Sequence, residues 1–196
     1  MLSRPGSLPT GSGWTYELKW DGFRALVSTE EGLRVRSRRG WNMTEALPEL
    51  RGLPPGLVLD GELVAWRKGQ PYFSDVCRRI LNRDMSVPVT LVIFDLLSVE
   101  GDDLTGQPFS ERRRRLERLD LSGSTWTTAD TFDDGAALYT AVCKLGFEGV
   151  VAKRLSSRYR PNDRGWVKVK NPNYWRRDSE REAMGRKHER RMRTRA

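Results

Sequence analysis

Apolar and polar positions begin to alternate at Trp14. Trp14 to Trp20, Arg24 to Ser28 and Leu33 to Ser37 are short runs rich in β-branched or aromatic residues, separated by the pairs Asp21-Gly22 and Glu31-Gly32. Runs of that length with turn-forming pairs between them predict an antiparallel meander. Leu57 to Trp66 returns to a strand pattern interrupted by Asp60-Gly61, and Val89 to Leu97 is an almost continuous apolar run bounded by Pro88 and Gly101. Such a run predicts a strand covered on both faces, in which Asp95 is out of place. Gly149 to Lys153 and Trp166 to Lys170 are two further strands, flanking a loop with Arg158, Arg160, Pro161 and Gly165.

Helical spacing is found in Phe73 to Leu81, in Ser110 to about Leu119 and in Asp133 to Leu145, which stops at Gly146; Thr44 opens a short helix to Leu50. The chain has no internal repeat, and its mixed element order predicts an α+β fold with largely antiparallel sheets. Residues 1 to 13 are rich in Gly, Pro and Ser without periodicity, so they are expected to be a flexible lead-in, with structure starting at Trp14.

A chain of 196 residues accommodates one ordinary domain with its own core. No stretch approaches the roughly 18 to 20 apolar residues of a membrane span, and the start lacks a signal-peptide layout, which makes the cytoplasm the expected compartment. Cys77 and Cys143 have no CxxC spacing, and the single histidine, His188, lies in a basic tail. Zinc chemistry and Cys/His or Ser/His pairs are thereby excluded, leaving Lys, Arg, Asp and Glu to do any chemistry. The formal net charge of +9 points to an anionic partner, nucleic acid above all. Residues Tyr174 to Ala196 hold nine Arg or Lys against four acids, a net of +5 that leaves +4 for the body.

Within that body six short segments carry candidate chemistry. In Glu17-Leu18-Lys19-Trp20-Asp21-Gly22-Phe23-Arg24 a lysine ends a strand before a glycine turn. Such an amine becomes a nucleophile once it loses a proton, and it can equally be a surface lysine before a hairpin. Arg38 and Arg39 in Ser37-Arg38-Arg39-Gly40 suit phosphate or ribose contacts. Asp60 and Glu62 flank Gly61 inside an apolar strand, a costly arrangement unless they meet a metal, a hydroxyl or a cation, or sit in a solvated bulge. Phe94 beside Asp95 offers a ring for a base, or simply core packing. Glu148 enters the apolar strand Gly149-Val150-Val151-Ala152-Lys153. In Trp166-Val167-Lys168-Val169-Lys170 the period of two sets Lys168 and Lys170 on one face, where an anion or open water must separate their charges. Neither a P-loop nor a dinucleotide-binding GxGxxG is present.

KxDGxR, SRRG, DGE, FD, EGVV and KxK in this order resemble the motifs of the covalent nucleotidyltransferases, the superfamily of ATP-dependent DNA ligases, RNA ligases and mRNA capping enzymes. The phrases ELKWDGFRAL, VLDGELVAW, VIFDLL, EGVVAKR and WVKVKN are most similar to bacterial ATP-dependent DNA ligases linked to end-joining repair. The resemblance spans residues 14 to 171 and implies an ATP-grasp-like nucleotidyltransferase fold of antiparallel sheets flanked by helices; ligases of this family continue into an OB-fold domain, and here the sequence departs from them, with no OB-fold domain expected. It implies that Lys19 forms a lysyl-AMP phosphoramidate from ATP, with Glu17 near the adenine amino group and Phe94 against the adenine face. Arg24 and Arg38 are implied at phosphate or ribose, Glu62 at ribose or metal, Glu148 at a divalent metal (Mg²⁺ or Mn²⁺), and Lys168 and Lys170 at the α-phosphate. The implied partner is nicked or broken DNA in the bacterial nucleoid. A second chain would supply the OB-fold or end-joining functions, since residues 172 to 196 are too few and too charged for a β-barrel and read as a basic tail, helical or disordered. An RNA ligase or other polynucleotide adenylyltransferase, or a non-catalytic ligase remnant that binds DNA, fits the same motifs.

Overall fold

The computed structural model describes residues 1–174 and folds them into two main sheets whose facing sides meet, with helices on the outside. In chain order the elements are β1 (Ser3–Pro5), β2 (Trp14–Leu18), β3 (Phe23–Ser28), β4 (Arg34–Ser37), β5 (Leu57–Val64), β6 (Trp66–Arg67), β7 (Gln70–Pro71) and α1 (Phe73–Leu81). There follow β8 (Thr90–Val99), β9 (Asp102–Asp103), α2 (Phe109–Arg118), β10 (Trp126–Thr128), α3 (Gly135–Leu145), β11 (Gly149–Arg154) and β12 (Trp166–Lys170). One sheet has the order β1-β12-β11-β2; the larger has β10-β8-β5-β3-β4, with β9 paired to β8. A small hairpin, β6-β7, stands apart.

Alternation sorts the larger sheet into two faces. Ala25, Val27, Leu59, Leu63, Leu91 and Ile93 pack outward against Val76 and Ile80 of α1, Leu116 of α2 and the turn residues Leu47 and Leu50. The opposite face carries Val64, Val92 and Phe94, which meet Trp166 of the smaller sheet and Met1. On the far side of the smaller sheet, Tyr16, Val150, Ala152 and Val167 pack against Leu138 and Val142 of α3. Each sheet is thus covered by helix on one side and by the other sheet on the next. Asp134 caps α3 by accepting from the Ala137 N–H at 2.9 Å, and Gly146 ends it in the left-handed conformation at φ 75°.

Two expectations are corrected. Residues 1 to 13 are not a structureless lead-in: Ser3–Pro5 form a strand parallel to β12, Met1 is buried between the sheets, and Tyr16 donates to the Pro9 carbonyl at 2.7 Å. A three-residue edge strand ending in proline leaves no periodic signal, and an edge is where proline is tolerated. The sheets are largely antiparallel, as expected, with β1-β12 and β10-β8 as parallel pairs at the edges. The short helix at Thr44 to Leu50 is instead two 3-10 turns, Thr44–Ala46 and Pro48–Gly52. Pro48 drives Leu47 out of the helical region, to φ −136° and ψ 50°, and so divides them. Beyond Tyr174 the expected basic tail lies outside the described residues.

Candidate active site

Between the two sheets lies a cleft of about 640 Å³. All nine residues that the resemblance implies for the site line it: Glu17, Lys19, Arg24, Arg38, Glu62, Phe94, Glu148, Lys168 and Lys170; of the other candidates Arg39 lines it and Asp60 and Asp95 do not. Strand register brings them together. Val151 of β11 pairs with Glu17 on one side and Lys168 on the other, and Gly149 pairs with Lys170, so one face of the smaller sheet carries these groups in rows. In the larger sheet Arg24, Glu62 and Val92 are opposite one another across β3, β5 and β8.

Lys19 continues β2 by one residue, its N–H donating to the Gly149 carbonyl at 2.9 Å. Its side chain then points along the cleft, and Nζ meets Glu148 Oε2 at 2.5 Å; the other oxygen of Glu148 lies 3.2 Å from Lys170 Nζ. One buried carboxylate thus bridges the candidate nucleophile and the lysine pair. The turn after Lys19 approaches the larger sheet so closely that a Cβ on Gly22 would stand 2.1 Å from the Leu63 carbonyl oxygen. Only glycine allows the loop to cross there, which explains the position of the Asp-Gly pair. The same constraint acts at Gly61, where a Cβ would meet the Val92 oxygen at 2.7 Å.

Glu62 is half-buried, and its carboxyl is pushed up to about 8 by burial, opposed by Lys19 and Arg24 and reinforced by Glu148 and Asp60. Lys19 and Arg24 offset that burial only in part, and Glu62 has no ion pair of its own among the described contacts. Glu62 and Glu148 on one cleft provide the one or two carboxylates with which Mg²⁺ is ordinarily held alongside substrate phosphates. Among the described residues no group of three or more His, Cys, Asp or Glu could hold a metal ion. Phe94 forms part of the wall, edge-to-face with Trp166 at 5.7 Å between centroids. Arg38 is exposed on the turn after β4, where the Ser37 N–H donates to the Trp41 carbonyl at 2.8 Å.

The profile of the ATP dependent DNA ligase domain matches residues 8–170. The chain belongs to that ligase family. Among its relatives, the multifunctional non-homologous end joining protein LigD of Mycobacterium bovis is 40% identical over 184 residues, covering 88% of this chain and 24% of that protein. LigD of Pseudomonas aeruginosa is 38% identical over 174 residues, 83% of this chain and 20% of its own length. The chain therefore spans about a quarter or less of these curated relatives. The crystal structure of the ligase domain from Mycobacterium tuberculosis LigD superposes with a TM-score of 0.76 at 37% identity, covering 86% of this chain and 58% of that one. A mycobacterial DNA ligase D complexed with ATP and MES gives 0.75 at 37% identity, with the same coverage.

Several cleft groups of this ligase domain escaped the sequence reading. Lys153 lies 2.8 Å from Glu17 and donates to the Phe94 carbonyl at 3.0 Å, with the rings of Phe94, Phe109 and Trp166 around it. Burial lowers the pKa of Lys153 and raises that of Glu17, each opposed by its partner's charge. Lys153 shares its strand face with Gly149 and Val151, so the period of two that picked out Lys168 and Lys170 also points to it. Trp166 also lines the cleft, and against it rests Tyr159, which donates to Asp60, the acid that the sequence already marked as needing a partner; a tyrosine in an irregular loop leaves no such trace.

Proposed function

We propose that this domain takes AMP from ATP onto Lys19 and passes it to a DNA 5′-phosphate. In the first step Nζ of Lys19 attacks the α-phosphorus, a nitrogen–phosphorus bond forms, pyrophosphate leaves and the amine gives up a proton. The observation that carries this reading is the convergence of Lys19, Glu148 and Lys170 at 2.5 and 3.2 Å, in one cleft with the other expected groups. Glu148 stands within hydrogen-bond reach of the proton that must leave. Lys168 and Lys170 are the cations for the α-phosphate, whose charge grows as the bond to pyrophosphate breaks. Glu17 receives the adenine amino group, Phe94 the face of its ring, and Arg24 and Arg38 ribose or phosphate.

A divalent ion, Mg²⁺ or Mn²⁺, held by Glu62 and Glu148 would neutralise phosphate charge and polarise the reacting phosphoryl group. The DNA substrate is supported by the family and by the surplus of Arg and Lys. A partner chain with an OB-fold or end-joining function would complete the joining of nicks or breaks, and a cytoplasmic setting follows from that substrate. Among the described residues no helix is long and apolar enough to cross a membrane.

The test is incubation with α-labelled ATP and Mg²⁺ followed by denaturing electrophoresis, for the wild type and Lys19→Ala. Label on the wild type and none on Lys19→Ala is the expected outcome; an unlabelled wild type, with and without DNA, refutes the proposal. Chasing the labelled protein with a 5′-phosphorylated nick in DNA or in RNA separates a DNA ligase from an RNA ligase.

A further inference from the structure

Behind the lysines, the back wall of the cleft holds a chain of contacts that the nine expected residues do not explain. Arg24 on β3 grips Asp60 on β5 with two prongs, Nε donating to Oδ1 at 2.9 Å and Nη2 to Oδ2. Asp60 is only 1% exposed. The phenol of Tyr159 donates to the same Oδ2 at 2.8 Å, and Nη2 of Arg24 also lies 3.4 Å from the phenol oxygen. One buried carboxylate oxygen is thus shared by a guanidinium and a phenol.

Tyr159 belongs to the segment between β11 and β12, and that segment is tied down. Its N–H donates to the Thr105 carbonyl at 2.9 Å. Just before it, the Ser157 carbonyl accepts from the Phe109 N–H at 2.8 Å and from Arg112 Nη1 at 3.1 Å, while the Ser110 N–H donates to Leu155 at 3.0 Å. The ring rests edge-to-face on Trp166 at 6.4 Å. Burial first, then the charge of Asp60, raises the phenol pKa well above its ordinary value, so the group remains a donor.

The terminal torsion of an aspartate is broad and roughly two-fold, so an Asp–Arg pair alone can rock about it. A third contact on one oxygen removes that freedom. We infer that Tyr159 is a positioning residue for Arg24: its hydroxyl pins Asp60, and Asp60 holds the guanidinium plane towards the nucleotide in the cleft. The inference rests on the adenylylation reading above, with the ribose or phosphate of ATP as the group that Arg24 meets.

Tyr159→Phe keeps the ring on Trp166 and removes only the hydroxyl. Lys19 labelling at saturating ATP should slow about tenfold, a cost typical of a modest misplacement of a binding group. The ATP concentration for half-maximal rate should change less than about twofold, since the loss falls on orientation in the transition state. In an Arg24→Lys background, where the fork is already gone, Tyr159→Phe should add less than about a twofold change, as two residues acting through one contact are non-additive. A purely structural tyrosine would slow both backgrounds by the same factor, and that result overturns the inference, as does a wild-type rate for Tyr159→Phe. Should Tyr159→Phe not fold, Asp60→Asn reads the same link: it preserves an acceptor for the phenol but breaks the two-pronged grip, and an unchanged rate would overturn the inference. Wild-type protein that takes no label would instead sink the adenylylation reading.

Discussion

Of the acids that interrupt apolar stretches of this chain, Asp95 and Glu148 came to opposite ends. Asp95 on β8 and Arg112 on α2 are each fully buried and joined by two hydrogen bonds of 2.8 Å. The remaining nitrogen of Arg112, Nη1, donates to the carbonyls of Gln107 at 2.7 Å and Ser157 at 3.1 Å. Glu148 is almost as buried, at 5%, yet its partners are two lysines, one of them 20% exposed and opening onto the cleft. Arginine presents a fixed planar fork that can saturate a carboxylate; lysine is a point charge on a flexible stem that can turn to another anion. The first pair is closed and acts as a staple between strand and helix. The second is open, and a phosphate can enter it. Burial alone therefore does not separate structure from function among out-of-place acids; the saturation of the partner does.

The largest effect should come from breaking the staple. Asp95→Leu or Arg112→Leu leaves one buried charge unpaired, and denaturant unfolding should show a loss of about 3–5 kcal/mol. Replacing both with apolar residues should recover much of that loss, because the desolvation cost disappears with the charges. Single variants as stable as the wild type would erase the contrast between the two acids. Glu148→Gln should do the reverse. Stability should change by less than about 1 kcal/mol, since the lysines it faces are partly solvated. Lys19 labelling should fall about a hundredfold, the scale for removing one charged group aimed at a reacting centre. Label incorporation close to wild type would deny Glu148 its part in the chemistry.

This contrast also marks how far the sequence carries. Period-two alternation is enough to set Lys168 beside Lys170, and the resemblance of the motifs to those of the nucleotidyltransferases is enough to list the nine residues that the fold gathers. The helix Phe73–Leu81 and strand Trp166–Lys170 are legible because each buries one face or two along its whole length. Arg112 was visible only as one of four consecutive arginines, and nothing in that run says which one turns inward to Asp95. Its neighbours pair locally along the helix, Arg113, which is itself mostly buried, with Glu117, and exposed Arg114 with Glu111. Strand β1 was illegible for another reason. Three residues are too few to show a period, and their pairing with β12 is made by backbone groups that every residue type shares.

Glu62 offers the finest test, because it is open to the cleft like Glu148 but has no ion pair of its own among the described contacts. Its carboxyl, pushed up from 4.5 to about 8 chiefly by burial, holds its proton in the fold over a range where the unfolded chain has lost it. The sign follows: the unfolded state binds fewer protons, so the stability this group contributes is complete below pH 4.5 and is lost as pH rises through about 8. Solvent in the cleft screens part of this, so the melting midpoint of the nucleotide-free protein should fall by about 2–4 °C between pH 5 and pH 8, the equivalent of order 1 kcal/mol in a domain of this size. Glu62→Gln has no proton to lose and should flatten that decline, and Mg²⁺ added to the wild type at pH 8 should restore part of it by supplying the missing counter-charge. Equal slopes for wild type and Glu62→Gln would mean that Glu62 is already neutralised in the empty cleft, as Asp95 is in the core, and would move it to the closed side of the comparison.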